Sequence, residues 1–259
     1  MIRRPPRSTP KPSSAASDVY KRQGGNGPLV IEECDSTMDE ARRMDESLWG
    51  RVLSLNQETG RGRRGSNWET IDGALACTWS IPFAESGLLN PGLLQTSIGA
   101  AISSALGCYC KWPNDLINPH GVKLGGVLIE SSTSESVLRV GVGINRDSAL
   151  LGDTEIAGWL EYLPEMELMD VFSLVDASMA SLLESKQNIP EVSESDIVEI
   201  SWNGLANILS QGARIRLGDT LHRIVGMHTN GRLEIEESGY VGITDEVGRL
   251  EWEISLAEP

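Results

Sequence analysis

The spacing of apolar residues changes character once along this chain, near Gln211, and that change limits the folds that the chain can adopt. Upstream of Gln211, strand-like stretches alternate with longer stretches of helical apolar spacing, a pattern typical of α/β and α+β domains. Downstream, five short strand-like stretches follow one another, separated by Gly-Asp, Asn-Gly and Ser-Gly turns. The sequence therefore predicts an α/β (α+β) domain over residues 24–210 and a small SH3-like β-barrel over residues 211–259.

The upstream domain is predicted to contain a mixed β-sheet with flanking helices. Its strand-like stretches are residues 29–33, 51–57, 74–82, 108–112, 116–117, 122–130 and 137–144. Helices are predicted over residues 91–106, 170–185 and 193–210, and a capping-box pattern at residues 36–39 predicts a short helix to about residue 45. The polar, glycine-rich residues 58–70 are predicted to form a loop. The strands expected in the barrel are residues 213–217, 221–227, 232–236, 240–243 and 250–254.

Residues 1–23 differ from the rest of the chain in charge. They contain six basic residues and one acidic residue, a net charge of +5, whereas the whole chain has a net charge of -15. They lack the apolar stretch of a secretion signal. We expect them to be either a non-native segment translated from sequencing-adapter DNA or a disordered basic arm. In the first case we expect the native N-terminus to be missing and the reading frame to be chimeric.

Composition excludes several classes of protein. No apolar run approaches the roughly 20 residues that span a membrane. The four cysteines show no CxxC spacing, which disfavours a disulfide or zinc framework and fits a reducing cytoplasm. The acidic net charge disfavours nonspecific nucleic-acid binding. We therefore expect a cytoplasmic protein with no membrane and no nucleic-acid partner.

Residues 60–65 (GRGRRG) place three arginines within four positions of this acidic chain. Backbone N–H groups and guanidinium groups in such a loop can enclose a phosphate or carboxylate. The glycines also fit the G-x-G-x-x-G dinucleotide motif, but that motif requires a helix to follow, and residues 66–73 are loop-like. An ordinary solvated turn stays the alternative.

Three further motifs combine polar groups with strand ends. In residues 123–126 (KLGG), Gly125 lies on the same strand face as Lys123 and leaves space for a ligand against the sheet; an edge-strand lysine is the alternative. Residues 111–115 (KWPND) place Asn114 and Asp115 in a turn, which equally fits a simple Asx turn. Residues 141–145 (GVGIN) end a strand with glycines that permit close backbone approach.

In their order along the chain, these motifs resemble those of biotin–protein ligases. The motifs are residues 35–37 (DST), Gln57 followed by the arginine loop, Trp68, and the KWPND, KLGG and GIN segments. The resemblance covers residues 29–257. It implies a class II aminoacyl-tRNA-synthetase/biotin-ligase-like fold and the activity of a biotin–[acetyl-CoA-carboxylase] ligase. Such an enzyme uses ATP and Mg²⁺ to convert biotin to biotinyl-5'-AMP, and then transfers biotin to a lysine of a biotin carboxyl carrier domain.

The same resemblance implies roles for individual residues. The expected catalytic residues are Lys123, Arg61 and Arg63. The expected biotin-binding residues are Ser36, Thr37, Met38, Gln57, Arg61, Gly62, Arg63, Trp68, Lys123, Gly125 and Gly126. The expected nucleotide-binding residues are Arg63, Asn114, Asp115, Lys123 and Asn145. No metal ligands are identified, and no covalent nucleophile is needed, because the carrier lysine attacks the mixed anhydride itself.

Two positions depart from the family pattern. Met38 stands where many members have Asn, and Ser66 replaces an arginine common after this loop. No winged-helix DNA-binding domain is visible, so the resemblance implies a ligase that is not a repressor. In this family the carrier docks by strand-edge pairing on a surface also used for homodimers, and whether this chain forms a homodimer is open.

Two other functions stay open on the sequence. A lipoate–protein ligase-like acyl-adenylate transferase shares the expected fold and chemistry, although such enzymes generally lack this arginine-glycine loop. A non-catalytic biotin or adenylate sensor would keep the pocket without the reaction, and release of pyrophosphate separates an enzyme from a sensor.

Overall fold

The computed structural model describes the greater part of the chain downstream of residue 26. The described residues are 27–44, 50–82, 91–131, 137–188, 197–199, 201, 205, 214–217, 219–237, 240–244 and 251–253. Residues 1–23 lie outside them.

In this described part, nine strands form one mixed sheet with the order β1-β2-β5-β9-β8-β11-β10, and β8 also pairs with β7, which pairs with β6. β1 is parallel to β2, and β11 is parallel to β8, whereas the pairs β2–β5, β5–β9 and β9–β8 are antiparallel. The strands are β1 (Leu29–Cys34), β2 (Gly50–Gln57), β5 (Leu75–Pro82), β6 (Tyr109–Lys111), β7 (Asp115–Ile117), β8 (Lys123–Ser131), β9 (Val137–Ile144), β10 (Ala149–Leu151) and β11 (Thr154–Ile156).

Helices flank this sheet. They are α1 (Thr37–Arg42), α2 (Pro91–Leu106) and α3 (Leu168–Asn188). The leucines and isoleucines of α2 are buried because the helix lies between β8, β6 and α3. Trp79 of β5 stacks on Phe172 of α3 with ring centroids 5.7 Å apart, and its indole N–H donates to Asp176 Oδ1 at 2.8 Å. Sheet and helices therefore share one apolar core.

The predicted tail strands are confirmed. They are β12 (Arg214–Leu217), β13 (Thr220–Met227), β14 (Leu233–Glu237), β15 (Tyr240–Thr244) and β16 (Glu251–Glu253), and the described residues form an antiparallel sheet in the order β15-β14-β13-β12-β16. Closure into an SH3-like barrel and the domain boundary at residue 211 stay predictions. The turn at Gly231 joins this sheet to the larger one, because the Gly231 carbonyl accepts a hydrogen bond from Trp112 Nε1 at 2.8 Å.

The predicted mixed sheet with flanking helices is confirmed, and several local predictions need correction. Residues 58–70 are not wholly loop: they contain β3 (Gly60–Arg61), a 3₁₀ turn (Arg63–Gly65) and β4 (Asn67–Trp68). The strands β10 and β11 were not predicted. The helix predicted over residues 193–210 lies mostly outside the described residues, although residues 197–199, 201 and 205 are helical.

The capping box is also corrected. Ser36 occupies the N-cap of α1 with extended backbone (φ -152°, ψ 129°), but its side chain makes no capping hydrogen bond. The Ser36 hydroxyl is buried and has no hydrogen-bond partner among the described residues. None of the helices in the described part of the chain combines the length and apolar character needed to cross a membrane.

Candidate active site

A cavity of about 270 Å³ lies where α1, the arginine-bearing β3–β4 segment and the KWPND turn meet one face of the central strands β5, β9 and β8. The described residues that line it are Ser36, Thr37, Met38, Gln57, Arg61, Gly62, Arg63, Ser66, Asn67, Trp68, Ala76, Cys77, Asn114, Asp115, Lys123, Gly126, Val127, Leu128, Gly141, Val142 and Gly143.

One wall of the pocket is polar and preorganised. The Oε1 atom of Gln57 accepts hydrogen bonds from the backbone N–H of Thr37 at 2.9 Å and from its hydroxyl at 3.0 Å. The Thr37 hydroxyl also lies 2.9 Å from the hydroxyl of Thr78. Ser36 is 2% exposed and its hydroxyl has no partner in the described residues, which leaves one buried hydrogen-bonding group for a ligand.

The floor of the pocket is apolar and flat because β9 has glycines at alternate positions. A Cβ on Gly141 would approach Met38 Cε to 2.7 Å, and one on Gly143 would approach Trp68 Cε2 to 2.7 Å. Met38 and Trp68 therefore pack directly against the backbone of the sheet. Burial raises the pKa of the nearby Cys77 thiol well above its usual value, so this thiol is neutral at physiological pH and belongs to the apolar surface.

The arginine loop is closed by its own backbone and by a serine. The Gly62 N–H donates to the Ser66 carbonyl at 2.7 Å, and the Ser66 hydroxyl donates to the Arg63 carbonyl at 2.8 Å. A Cβ on Gly62 would lie 2.3 Å from Ser66 Oγ. Ser66, a departure from the family pattern, thus holds the loop compact at the pocket mouth, and Arg63 Nη1 reaches Asn114 Oδ1 at 3.5 Å.

Lys123, the first residue of β8, places its ammonium group on the side of the pocket that the KWPND turn forms. Its Nζ atom lies 2.8 Å from Asp115 Oδ1 and 5.9 Å from the centroid of the Trp68 ring. The Lys123 side chain is 44% exposed, so the ammonium group stays accessible to a ligand. The turn beneath it is fixed, because the Asn114 side chain donates to the Val127 carbonyl at 3.0 Å and the Val127 N–H donates to the Asn114 carbonyl at 2.9 Å.

Arg61 belongs to a closed ring of ion pairs at the edge of the pocket, called here the ion-pair ring (Asp39, Arg42, Arg61 and Glu130). Arg61 lies 2.8 Å from Asp39 and 3.4 Å from Glu130. Arg42 lies 2.9 Å from Asp39 and 2.6 Å from Glu130. The ring therefore joins α1, β3 and β8, and it balances two positive charges with two negative ones.

Two of the predicted site residues, Gly125 and Asn145, lie outside the described lining. A Cβ on Gly125 would come within 2.4 Å of the Gly143 carbonyl oxygen, so β9 fills the space expected for a ligand. Asn145 is 2% exposed, and its side-chain amide donates to the Ala157 carbonyl at 3.2 Å. The ligand roles of these two residues stay predictions, as do those of the predicted residues that line the pocket.

Sequence reasoning did not assign nine of the described lining residues to the site. For Gly141 and Gly143 the signal was available, because alternate glycines on a strand indicate close approach to one face. The others are short or apolar side chains without a distinctive pattern: Ser66, Asn67, Ala76, Cys77, Val127, Leu128 and Val142. Among the described residues, no three His, Cys, Asp or Glu side chains are grouped so as to hold a metal ion.

Part of the chain is similar to a known protein family. Residues 49–147 match the model of the Biotin/lipoate A/B protein ligase family. The chain is 35% identical over 129 residues to the biotin–[acetyl-CoA-carboxylase] ligase of Paracoccus denitrificans, which is 45% of this chain and 53% of that protein. The chain thus spans about half the length of this curated relative.

Solved structures share the fold. The biotin protein ligase from Aquifex aeolicus in complex with biotin and ATP has a TM-score of 0.71 at 21% identity, covering 89% of this chain and 100% of that one. The biotin protein ligase from Leishmania major in complex with biotinyl-5-AMP has a TM-score of 0.59 at 21% identity, covering 85% and 99%. Residues 49–147 are therefore similar to the biotin/lipoate A/B protein ligase family, and the fold of the chain is that of the biotin protein ligases.

Proposed function

We propose that this protein is a biotin–protein ligase that activates biotin with ATP and transfers it to a lysine of a biotin carboxyl carrier domain. The observation that carries the proposal is the division of one pocket into a polar wall, an apolar floor and a rim of cations. Biotin has the same division, with a ureido group, an apolar ring and chain, and a terminal carboxylate.

The biotin end of the pocket is formed by Ser36, Thr37 and Gln57. A ureido group has both donors and acceptors, and the buried Ser36 hydroxyl, which has no partner among the described residues, supplies a matching hydrogen bond. The cavity of about 270 Å³ is close to the lower size limit of small-molecule sites, which suits one compact ligand. Met38 and Trp68, which pack on Gly141 and Gly143, provide the apolar surface for the ring.

The cationic rim supports adenylation. A biotin carboxylate oxygen forms a bond to the α-phosphorus of ATP, the bond from that phosphorus to the bridging oxygen breaks, and pyrophosphate leaves. Two unit charges about 4 Å apart repel by roughly 4 kcal/mol at an effective dielectric of 20. Arg61, Arg63 and Lys123 offset this repulsion and stabilise the charge that develops during transfer.

Transfer needs no group of the enzyme as nucleophile. The uncharged amine of the carrier lysine attacks the acyl carbon of biotinyl-5'-AMP, an amide forms, AMP leaves with the bonding electrons, and the amine loses a proton to solvent. Arg63 retains the adenylate until the carrier arrives.

Mg²⁺ forms part of the proposal. Asp115 lines the pocket with a side chain that is 29% exposed, and ATP-dependent enzymes commonly hold Mg²⁺ through one or two carboxylates together with the phosphates. When bound there, Mg²⁺ would neutralise phosphate charge.

Composition bears on the location of the protein and on whether nucleic acid is a partner. A net charge of -15 disfavours nucleic-acid binding, and four cysteines without CxxC spacing suit the cytoplasm. The carrier domain is the expected protein partner, and a homodimer stays open.

Isotope exchange tests the proposal. The protein lacking residues 1–23 is incubated with biotin, Mg-ATP and radiolabelled pyrophosphate, and label entering ATP is measured, with lipoate as a parallel substrate. Biotin-dependent exchange is expected. Exchange with lipoate alone would instead identify a lipoate–protein ligase-like enzyme, and binding of biotin without exchange would identify a sensor.

A further inference from the structure

Three members of the ion-pair ring lie outside the described lining of the pocket, and the fourth member, Arg61, belongs to that lining. Arg61 lines the pocket, whereas Asp39, Arg42 and Glu130 are not among the described lining residues. Arg61 and Arg42 share both carboxylates, at distances between 2.6 and 3.4 Å. The Nε atom of Arg61 is buried and has no well-aligned acceptor among the described residues. The ring therefore holds the Arg61 side chain in place but does not use all of its hydrogen-bond donors.

The charge of the ring depends on the two outer residues. With all four members the ring is neutral. Without the charge of Arg42, Arg61 becomes the single cation for two carboxylates and the ring has a net charge of -1. Without the charge of Glu130, Asp39 still holds Arg61 at 2.8 Å and the ring has a net charge of +1.

We propose that Arg42 and Glu130 are positioning residues that set, in opposite directions, how much positive charge Arg61 presents to an anionic group of the substrate. The identity of that anion, the biotin carboxylate, rests on the proposed function. Arg42 draws the two carboxylates away from Arg61, whereas Glu130 neutralises part of the Arg61 charge. Side-chain exposures of 25% to 43% make the effect moderate and sensitive to salt.

Calorimetric binding of biotin and of biotin amide, its neutral analogue, tests the proposal. Arg42→Gln is expected to weaken biotin binding by about two- to fivefold, the range for one partly exposed ion pair. Glu130→Gln is expected to strengthen it by a similar factor. Binding of biotin amide should stay at the wild-type value in both variants, and at 1 M NaCl, where the screening length is about 3 Å, the differences for biotin should vanish.

Two further variants separate charge from structure. Arg43→Gln removes the neighbouring arginine of α1, which is 71% exposed and pairs with Glu40, and it should leave biotin binding unchanged. Arg42→Lys keeps the charge and should retain most of the wild-type affinity. The inference would be overturned, and the proposed function would stand, if both Gln variants shifted biotin binding in the same direction. An equal shift in the binding of biotin amide would have the same consequence. A wild-type chain that does not bind biotin would refute the proposed function and the inference with it.

Discussion

Replacement of Lys123 by methionine separates the catalytic role of this residue from its structural role. Methionine keeps much of the apolar length of the side chain and removes the ammonium group that lies 2.8 Å from Asp115. Because Lys123 is 44% exposed, solvent screens this ion pair, and its loss should cost at most about 1 kcal/mol of stability. The thermal midpoint of unfolding is therefore expected to change by only a few degrees.

The reaction rate should change far more. A preorganised group that stabilises charge in the transition state contributes about 2.7–4 kcal/mol, which corresponds to a 10²- to 10³-fold change in rate. Removal of Lys123 also leaves the Asp115 carboxylate uncompensated beside the expected phosphates. We therefore expect biotin-dependent pyrophosphate exchange to fall by about 10²- to 10³-fold.

The assay is pyrophosphate exchange at saturating biotin and ATP, with thermal unfolding measured on the same samples. Arg223→Met is the matched control, because it removes the cation of an exposed ion pair (3.8 Å to Glu236) in the C-terminal sheet. The double variant Lys123→Met/Asp115→Asn should not recover the rate, because it also lacks the carboxylate proposed to hold Mg²⁺. Exchange within threefold of the wild type in Lys123→Met, or a loss of rate matched by unfolding, would refute the role assigned to this lysine.

Three other substitutions test separate parts of the structure. Arg63→Gly should release the adenylate, so that lysines of unrelated proteins become biotinylated in a mixed-protein assay; labelling confined to the carrier would contradict this. Gly125→Ala places a Cβ 2.4 Å from the Gly143 carbonyl and should lower the free energy of unfolding in urea by about 1–3 kcal/mol, whereas Gly27→Ala, with no described atom within 4 Å, should not. Burial raises the pKa of the Cys108 thiol from 9.0 to about 12. The free energy of unfolding should therefore fall as the pH rises from 9 towards 12, and the fall measured for Cys108→Ala should be smaller than that of the wild type.

The long elements were predictable because each is a long, mostly buried run that is rich in apolar residues. The strands β5 and β9 and the helix α2 all have at least eight residues, enough for their spacing to be unambiguous. The strands β10 and β11 have three residues each, too few for alternation to be recognised. Their hairpin is set by pairing of Ile156 with Lys123 of β8, a contact between residues distant in sequence.

Site residues were predictable where the functional groups lie within one short motif. They were not predictable where the role of a residue depends on contacts with residues distant in sequence. Arg61 was expected to bind an anion, but its pairing with Asp39 and Glu130 joins three separate elements. No local pattern indicates which carboxylates reach it. Ser36 illustrates the converse, because its sequence fits a helix cap. In the fold its hydroxyl is buried, has no partner among the described residues, and lies in a residue that lines the pocket.

The pairing of pocket cations with carboxylates bears on how an acidic protein can select one anion. Asp115 holds Lys123 at 2.8 Å, and Asp39 holds Arg61 at the same distance. A small anion entering the pocket exchanges one such ion pair for another, so its net electrostatic gain is small. A ligand that also covers the apolar surface of Met38 and Trp68 and hydrogen-bonds to the Ser36 hydroxyl gains binding energy that no ion pair of the described residues offsets. Selectivity in such a pocket therefore comes from joining the two ends in one molecule, which is the property that the proposed substrate has and simple anions lack.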